Sequence, residues 1–332
     1  MNHFKVILYH DLFKFSEETE FSVEYENVHA SFQYDKAQFQ LIVELSSVEN
    51  NIIDLEEEFI RLHLLFFLMM GSCPVIISKE LNGNKYDIDE LSVKFFTDKY
   101  YQNSHFCLCI PNSQNITESL LTSFKSITLP EKVSIVSFYS VQALISIEYE
   151  HVLLDHKLTL LLQALDGMIN KEQGFNKKEV KSKIIKEWPE MPHQKISDLF
   201  CKLYFFASET LFPYENRCHI LKAIGKDKKE FLEAIIHTRH FYSHMLSLNE
   251  RNKRLVESKD FRVFFDILIH SIRLFWLKKL DANLDDQVTI STYNIFHDWL
   301  VYIYGLEDEP YLSGIYILHQ HLKQLSSRNF RC

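Results

Sequence analysis

Apolar and polar residues alternate in the first part of the chain and then change period. "FSVEY" (21–25) and "SFQYD" (31–35) switch at every residue and "FQLIVEL" (39–45) does so in part, which predicts antiparallel strands with one face buried. "DLEEEFIRLHLLFFLMMG" (54–71) predicts a helix. Carboxylates fill its first turn, apolar residues cover a broad face, and Gly71 follows its end. "PVIISKEL" (74–81), "LSVKFF" (91–96) and "FCLCI" (106–110) predict further strands, with a turn at "NGN" (82–84). From about residue 115 the period is helical. "ITESLLTSFKSI" (116–127) and "HVLLDHKLTLLLQALDGMI" (151–169) predict helices. So do "KISDLFCKLYFFASETL" (195–211), "KKEFLEAIIHTRHFYSHMLSL" (228–248) and "KDFRVFFDILIHSIRLFWLKKL" (259–280). Two shorter helices are expected in 291–305 and 311–326. The lysine-rich stretch 171–186 is either a connector or a solvated helix. Its charge would attract RNA, although its glutamates dilute it. The fold class is therefore α+β: a mixed strand and helix region over 1–145, then an all-helical region over 146–332.

Composition narrows the function classes. A net charge of −9 argues against a surface coated in basic residues, while leaving room for a local basic groove. Only 7 glycines occur, and neither GxGxxG nor GxxxxGK[ST] is present, so nucleotide-binding readings have no motif. The six cysteines show no CxxC spacing, which favours a reducing compartment over a disulfide framework. The longest apolar run, Leu62–Met70, is far short of the ~20 residues that span a bilayer. The N-terminus lacks the features of a signal peptide. A cytoplasmic protein without membrane contact is expected. Trp188, Trp276 and Trp299 are expected to anchor packing.

One stretch, "IIHTRHFYSHMLS" (235–247), concentrates candidate chemistry. At about 100° per residue, Phe231, Ala234, Ile235, Thr238, Tyr242 and Met245 share a core-facing stripe. Glu233, His237, His240 and His244 fall on nearly the opposite side, with Arg239 on the flank. Arg239 and His244 stand about 140° apart, yet their tips can line one groove because arginine is long. Three readings compete. The first is a solvated face with incidental histidines. The second is a metal site on His237, His240 and His244, with Glu233 one turn earlier; it lacks HExxH, and one helix seldom gives three ligands tetrahedral angles. The third is a metal-free pair that cuts RNA. Histidine would take the proton from a ribose 2′-OH, and arginine would stabilise charge on the phosphate oxygens.

The residues Arg239 to His244, "RHFYSH", match the RxxxxH signature of HEPN-domain ribonucleases, with a polar residue directly after the arginine. Over about residues 50–285 the chain resembles the ApeA-type anti-phage HEPN proteins. The resemblance rests on "EEEFIRLHLLFFLMMGSCPV", on "LLLQALDGM", and on "HTRHFYSHM", where His240 stands at a position more usually Asn. It implies a helical bundle with the motif on a late helix, and a sensing region before it. It implies metal-independent endoribonuclease activity in abortive infection, acting on tRNA or other cellular RNA and unleashed by a phage-derived trigger. No cofactor is expected. Catalysis falls to Arg239 and His244, assisted by His240. Asp166, where that family commonly carries an acid, and Ser243 are supporting residues. A homodimer with two motif helices facing each other is also implied. The alternative function class is a catalytically inactive RNA-binding, dimerisation or sensor module; a metal-binding protein built on the histidine cluster is the third.

Overall fold

The computed structural model describes residues 2–10, 12–13, 16–47, 52–71, 74–86, 110–128, 154–170, 175–210, 227–244, 255–256 and 261–280. The expected strands at 91–96 and 106–109 and the expected helices beyond 290 lie outside them. Six strands form one antiparallel sheet: β1 (Asn2–Tyr9), β2 (Glu20–Tyr25), β3 (Val28–Asp35), β4 (Gln40–Ser47), β5 (Val75–Leu81) and β6 (Asn84–Tyr86). Their order is β2-β3-β4-β1-β5-β6. Tight turns set the register. Asn82 (φ +50°) and Gly83 (φ +81°) both occupy the left-handed region that a two-residue hairpin turn demands, and they pair Leu81 with Asn84. The Asp35 carboxylate accepts from the amides of Ala37 and Gln38, closing the turn from β3 to β4.

β1 is the strand that the reading of the sequence left unassigned. It is central, pairing with β4 on one side and β5 on the other. Phe4, Val6 and Leu8 point into the core, while Lys5 bonds Glu44 of β4 at 2.7 Å on the other face. β5 carries an irregularity opposite Ile7 and Leu8 that leaves Ile77 exposed.

Seven helices complete the described residues: α1 (Ile52–Met70), α2 (Glu118–Thr128), α3 (Leu154–Asn170), α4 (Lys177–Glu187), α5 (Asp198–Thr210), α6 (Lys228–His244) and α7 (Phe261–Lys279). Among the described residues, the sheet lies within 2–86 and every regular element from 154 onward is helical. The chain is thus α+β, with no described helix long and apolar enough to cross a membrane.

α1 explains its own composition. Every residue from Leu62 to Met70 is buried, because the helix packs on β1 and β4 on one side and on α7 on the other. Gly71 ends it at φ +83°, its amide bonded to the Phe67 carbonyl at 2.8 Å. Near the other end, the buried Glu58 accepts from Arg61 at 2.6 Å, from Lys125 of α2 at 2.7 Å and from the Tyr25 hydroxyl of β2 at 3.3 Å. One carboxylate therefore joins three elements.

His63 is buried in the same helix, stacked on Phe59, with Nε2 2.7 Å from the Pro74 carbonyl. Burial pulls its pKa down to about 4, assisted by Lys79 and opposed by the Pro74 hydrogen bond. The unfolded ring takes up a proton near 6.5, so between pH 6.5 and 4 the unfolded state binds more protons. His63 therefore costs nothing above pH 6.5 and destabilises progressively as the pH falls, by about 3 kcal/mol over the full window. A His63→Gln variant should lose less stability than wild type in urea titrations taken from pH 7 to pH 4. Equal losses in the two proteins would overturn this account.

Beyond α1, the helices α3, α5, α6 and α7 pack on one another as a bundle. The hydrophobic core runs unbroken from sheet to bundle. Its most unusual member is Arg273 of α7, which has no exposed surface. Its Nε donates to the Leu68 carbonyl at 3.0 Å and its Nη2 to the Met69 carbonyl at 3.1 Å, with the guanidinium 5.9 Å from the Phe67 ring centroid. These carbonyls end α1 and have no partner within the helix. A cation there satisfies them and meets the negative end of the helix dipole.

Candidate active site

The motif helix α6 begins at a reciprocal cap. Asp227 Oδ1 accepts from the Glu230 amide at 2.7 Å, and Glu230 Oε2 accepts from the Asp227 amide at 3.2 Å. This "DKKE" cap fixes where the helix starts. Phe231, Leu232, Ala234, Ile235 and Thr238 are buried. Phe231 stacks on Phe264 of α7 with centroids 4.9 Å apart, and α6 also packs on α3 and α5. Of the expected stripe, Phe231, Ala234, Ile235 and Thr238 are buried, Tyr242 is partly buried and Met245 lies outside the described residues; the stripe is wider on one side, where Leu232 is also buried.

Thr238 stands immediately before the arginine of the motif, and its hydroxyl has two partners. Oγ1 donates to the Ala234 carbonyl at 2.7 Å and accepts from the Val256 amide at 2.9 Å. The chain returning toward α7 is thereby tied to α6 one residue from Arg239. The sequence marks this only as a hydroxyl on an otherwise apolar stripe, and the expectation for Thr238 was packing alone.

Arg239 is partly exposed, two turns beyond Leu232 on the same flank of the helix. Among the described residues, no carboxylate forms an ion pair with it. His240 is exposed, His237 is partly exposed, and Tyr242 is partly buried against the core. Arg239 and His240 project about 100° apart on the helix. His244 closes α6, five residues and about 7.5 Å of helix beyond Arg239. The side chains of Ser243 and His244 lie outside the described residues. Among the described residues, no group of three or more His, Cys, Asp or Glu could hold a metal ion; the His237, His240 and His244 alternative reaches past them through His244.

No family model, curated protein or solved structure matches this chain. The chemistry of the site rests on its own geometry.

Asp166 lies on α3, a direct neighbour of α6, and its carboxylate is bonded to Lys202 of α5 at 2.6 Å. Lys202 is buried and reaches Asp198 as well, at 2.7 Å. The structure thus places Asp166 in an ion pair that joins α3 to α5. Among the described residues, it has no hydrogen bond to Arg239 or His240. The bonds from Lys202 and then Lys177 hold the Asp198 carboxyl below its ordinary range. Sequence alone had no signal for Lys202, a lysine inside an apolar helix whose partners sit 36 residues earlier and one turn before.

The arrangement therefore offers a guanidinium at the rim of a packed bundle, without a carboxylate partner among the described residues, and an exposed imidazole one residue further on. A guanidinium so placed can fork onto two oxygens of a phosphate.

Proposed function

We propose that this chain is a metal-independent endoribonuclease of the HEPN type, acting in anti-phage defence by abortive infection. The observation that carries the proposal is Arg239: an arginine at the edge of a helical bundle, without a carboxylate partner among the described residues, five positions before His244 on the same helix. A structural arginine in this chain looks different, as Arg61 and Arg273 do, each with its hydrogen-bond acceptors in place.

In this reading Arg239 holds the scissile phosphate and stabilises its transition-state charge. His244 removes the proton from the adjacent ribose 2′-OH, which attacks phosphorus and expels the 5′-oxygen of the next nucleotide. The products are a 2′,3′-cyclic phosphate and a 5′-hydroxyl. His240 assists at the exposed side, and Ser243 donates to phosphate. Asp166 supports indirectly, by fixing α3 to α5 under the motif helix. Two copies would meet through their motif helices and share one groove. The sheet-containing region would sense a phage-derived trigger, and the substrate would be tRNA or another cellular RNA.

Cells carrying the protein and challenged with phage test the proposal in its biological setting. Wild type is expected to limit phage growth, and His244→Ala to lose protection at equal protein level. A His244→Ala variant that still protected cells would sink the catalytic reading.

A further inference from the structure

The helix α4 carries five lysines and two glutamates in eleven residues, a net charge of +3 on a chain whose total is −9. Charge alone would leave this a solvated helix. The placement of the neighbouring carboxylates changes that. Glu179 accepts from the side-chain amide of Asn176, the residue that caps the helix, at 3.0 Å. Glu187 accepts from the Tyr204 hydroxyl at 2.6 Å. Asp198 bonds Lys177 and Lys202, and Glu190 bonds Lys229 at 2.7 Å. Asp198 thus reaches α4 only at Lys177, at its first residue, and Glu179, Glu187 and Glu190 are bonded to groups other than the α4 lysines. Among the described residues, only Lys177 of the five lysines has a carboxylate partner.

The helix is also held in one orientation. Val180 and Ile184 are buried against α5, while Lys178 and Lys186 are exposed on the side turned away from them and Lys183 is exposed on the flank, the three spread over about 12 Å of helix. Like charges three apart, as at Lys183 and Lys186, repel one another by a few tenths of a kcal/mol. A protein with a large negative total does not need them for solubility. The Glu190–Lys229 bond then ties the chain just past α4 to the first turn of α6, which fixes this face relative to the motif helix. Lys229 lies ten residues before Arg239, about 15 Å along α6.

We propose that the lysine face of α4 binds the sugar–phosphate backbone of single-stranded RNA. This rests on the reading of RNA as the substrate of the Arg239 site, and it adds a second place where the strand is held. Lysines engage phosphates as point charges, so the contact fixes a strand without reading its bases. An RNA must be several nucleotides long to reach both places.

The test uses the full chain with His244→Ala, so that bound RNA is not cut, and labelled oligouridine over a range of salt. It is compared with the same chain carrying Lys178→Gln, Lys183→Gln and Lys186→Gln. Glutamine keeps helix propensity, and these side chains lie outside the core, so circular dichroism should not change. The expected result is affinity lower by about tenfold or more, with the slope of log K against log salt shallower by about 2, near 0.7 per lost lysine. RNA bound with unchanged affinity and slope would overturn the proposal and leave the Arg239 reading standing. No RNA binding by the His244→Ala chain even at low salt would overturn both. Competition by phosphatidylserine vesicles stronger than that by unlabelled RNA would assign the face to a membrane surface and overturn the proposal.

Discussion

Arg273→Ala should lower the free energy of unfolding by about 3–5 kcal/mol, the largest stability effect expected of any single change in the described residues. Two hydrogen bonds from a charged donor are lost, each worth about 1.5–3 kcal/mol. The Leu68 and Met69 carbonyls lose these donors in a site with no exposed surface. A cavity opens beside Phe67, which adds a packing loss. Lysine should not rescue. One ammonium cannot reproduce donors at Nε and Nη2 that diverge to successive carbonyls, nor lie flat against a ring. Urea unfolding of Arg273→Ala and Arg273→Lys checks both statements, and losses below about 1 kcal/mol would contradict them. The residue also bears on cooperativity. It joins the end of α1, which lies on the sheet, to α7 of the bundle. Wild type should unfold in one transition followed alike by probes in either part.

The largest functional effect is expected at the motif pair. Arg239→Ala and His244→Ala should each reduce RNA cleavage by about 10²–10⁴-fold, the range for loss of transition-state charge stabilisation or of a general base. Arg239→Lys should recover little of this, because an ammonium does not form the paired contact of a guanidinium with phosphate. Arg239 is only partly buried and is not part of the hydrophobic core, so the unfolding curve of Arg239→Ala should overlay that of wild type. His240→Ala should have the smaller effect, because His240 assists in this reading and does not take the 2′-OH proton. The losses should not multiply in an Arg239→Ala/His244→Ala double variant, since groups acting on one transition state are not independent.

Much of the architecture was legible in the chain because periodicity reports which face is buried. The alternation in 21–45 became β2, β3 and β4, and "NGN" became the β5–β6 turn. The 100° step placed Phe231, Ala234, Ile235 and Thr238 in the core as expected. Phe4, Val6 and Leu8 alternate as clearly as any strand, and β1 is the long strand absent from the expected set. The lysine-rich stretch stayed undecided because its propensity is helical and its surface polar. Two buried apolar residues and the Asn176 cap settle it as a helix.

What the pattern could not show is which polar residues inside apolar runs find partners. His63, Lys202, Thr238 and Arg273 all interrupt hydrophobic segments in the same way. Their partners, Pro74, Asp166, Val256 and the end of α1, are 11 to 205 residues away. Only the fold brings them together. At the motif, spacing alone identified the helix and its core face. It could not reveal that, among the described residues, no carboxylate pairs with Arg239, and that is the feature on which the proposed function depends.

The most direct test is cleavage of single-stranded RNA and total tRNA by the purified protein in excess EDTA, with extract from phage-infected cells added as the source of a trigger. His244→Ala serves as the control. The account predicts that wild type alone cuts, leaving cyclic-phosphate ends. Cleavage that EDTA abolishes, or that survives in His244→Ala, would contradict it.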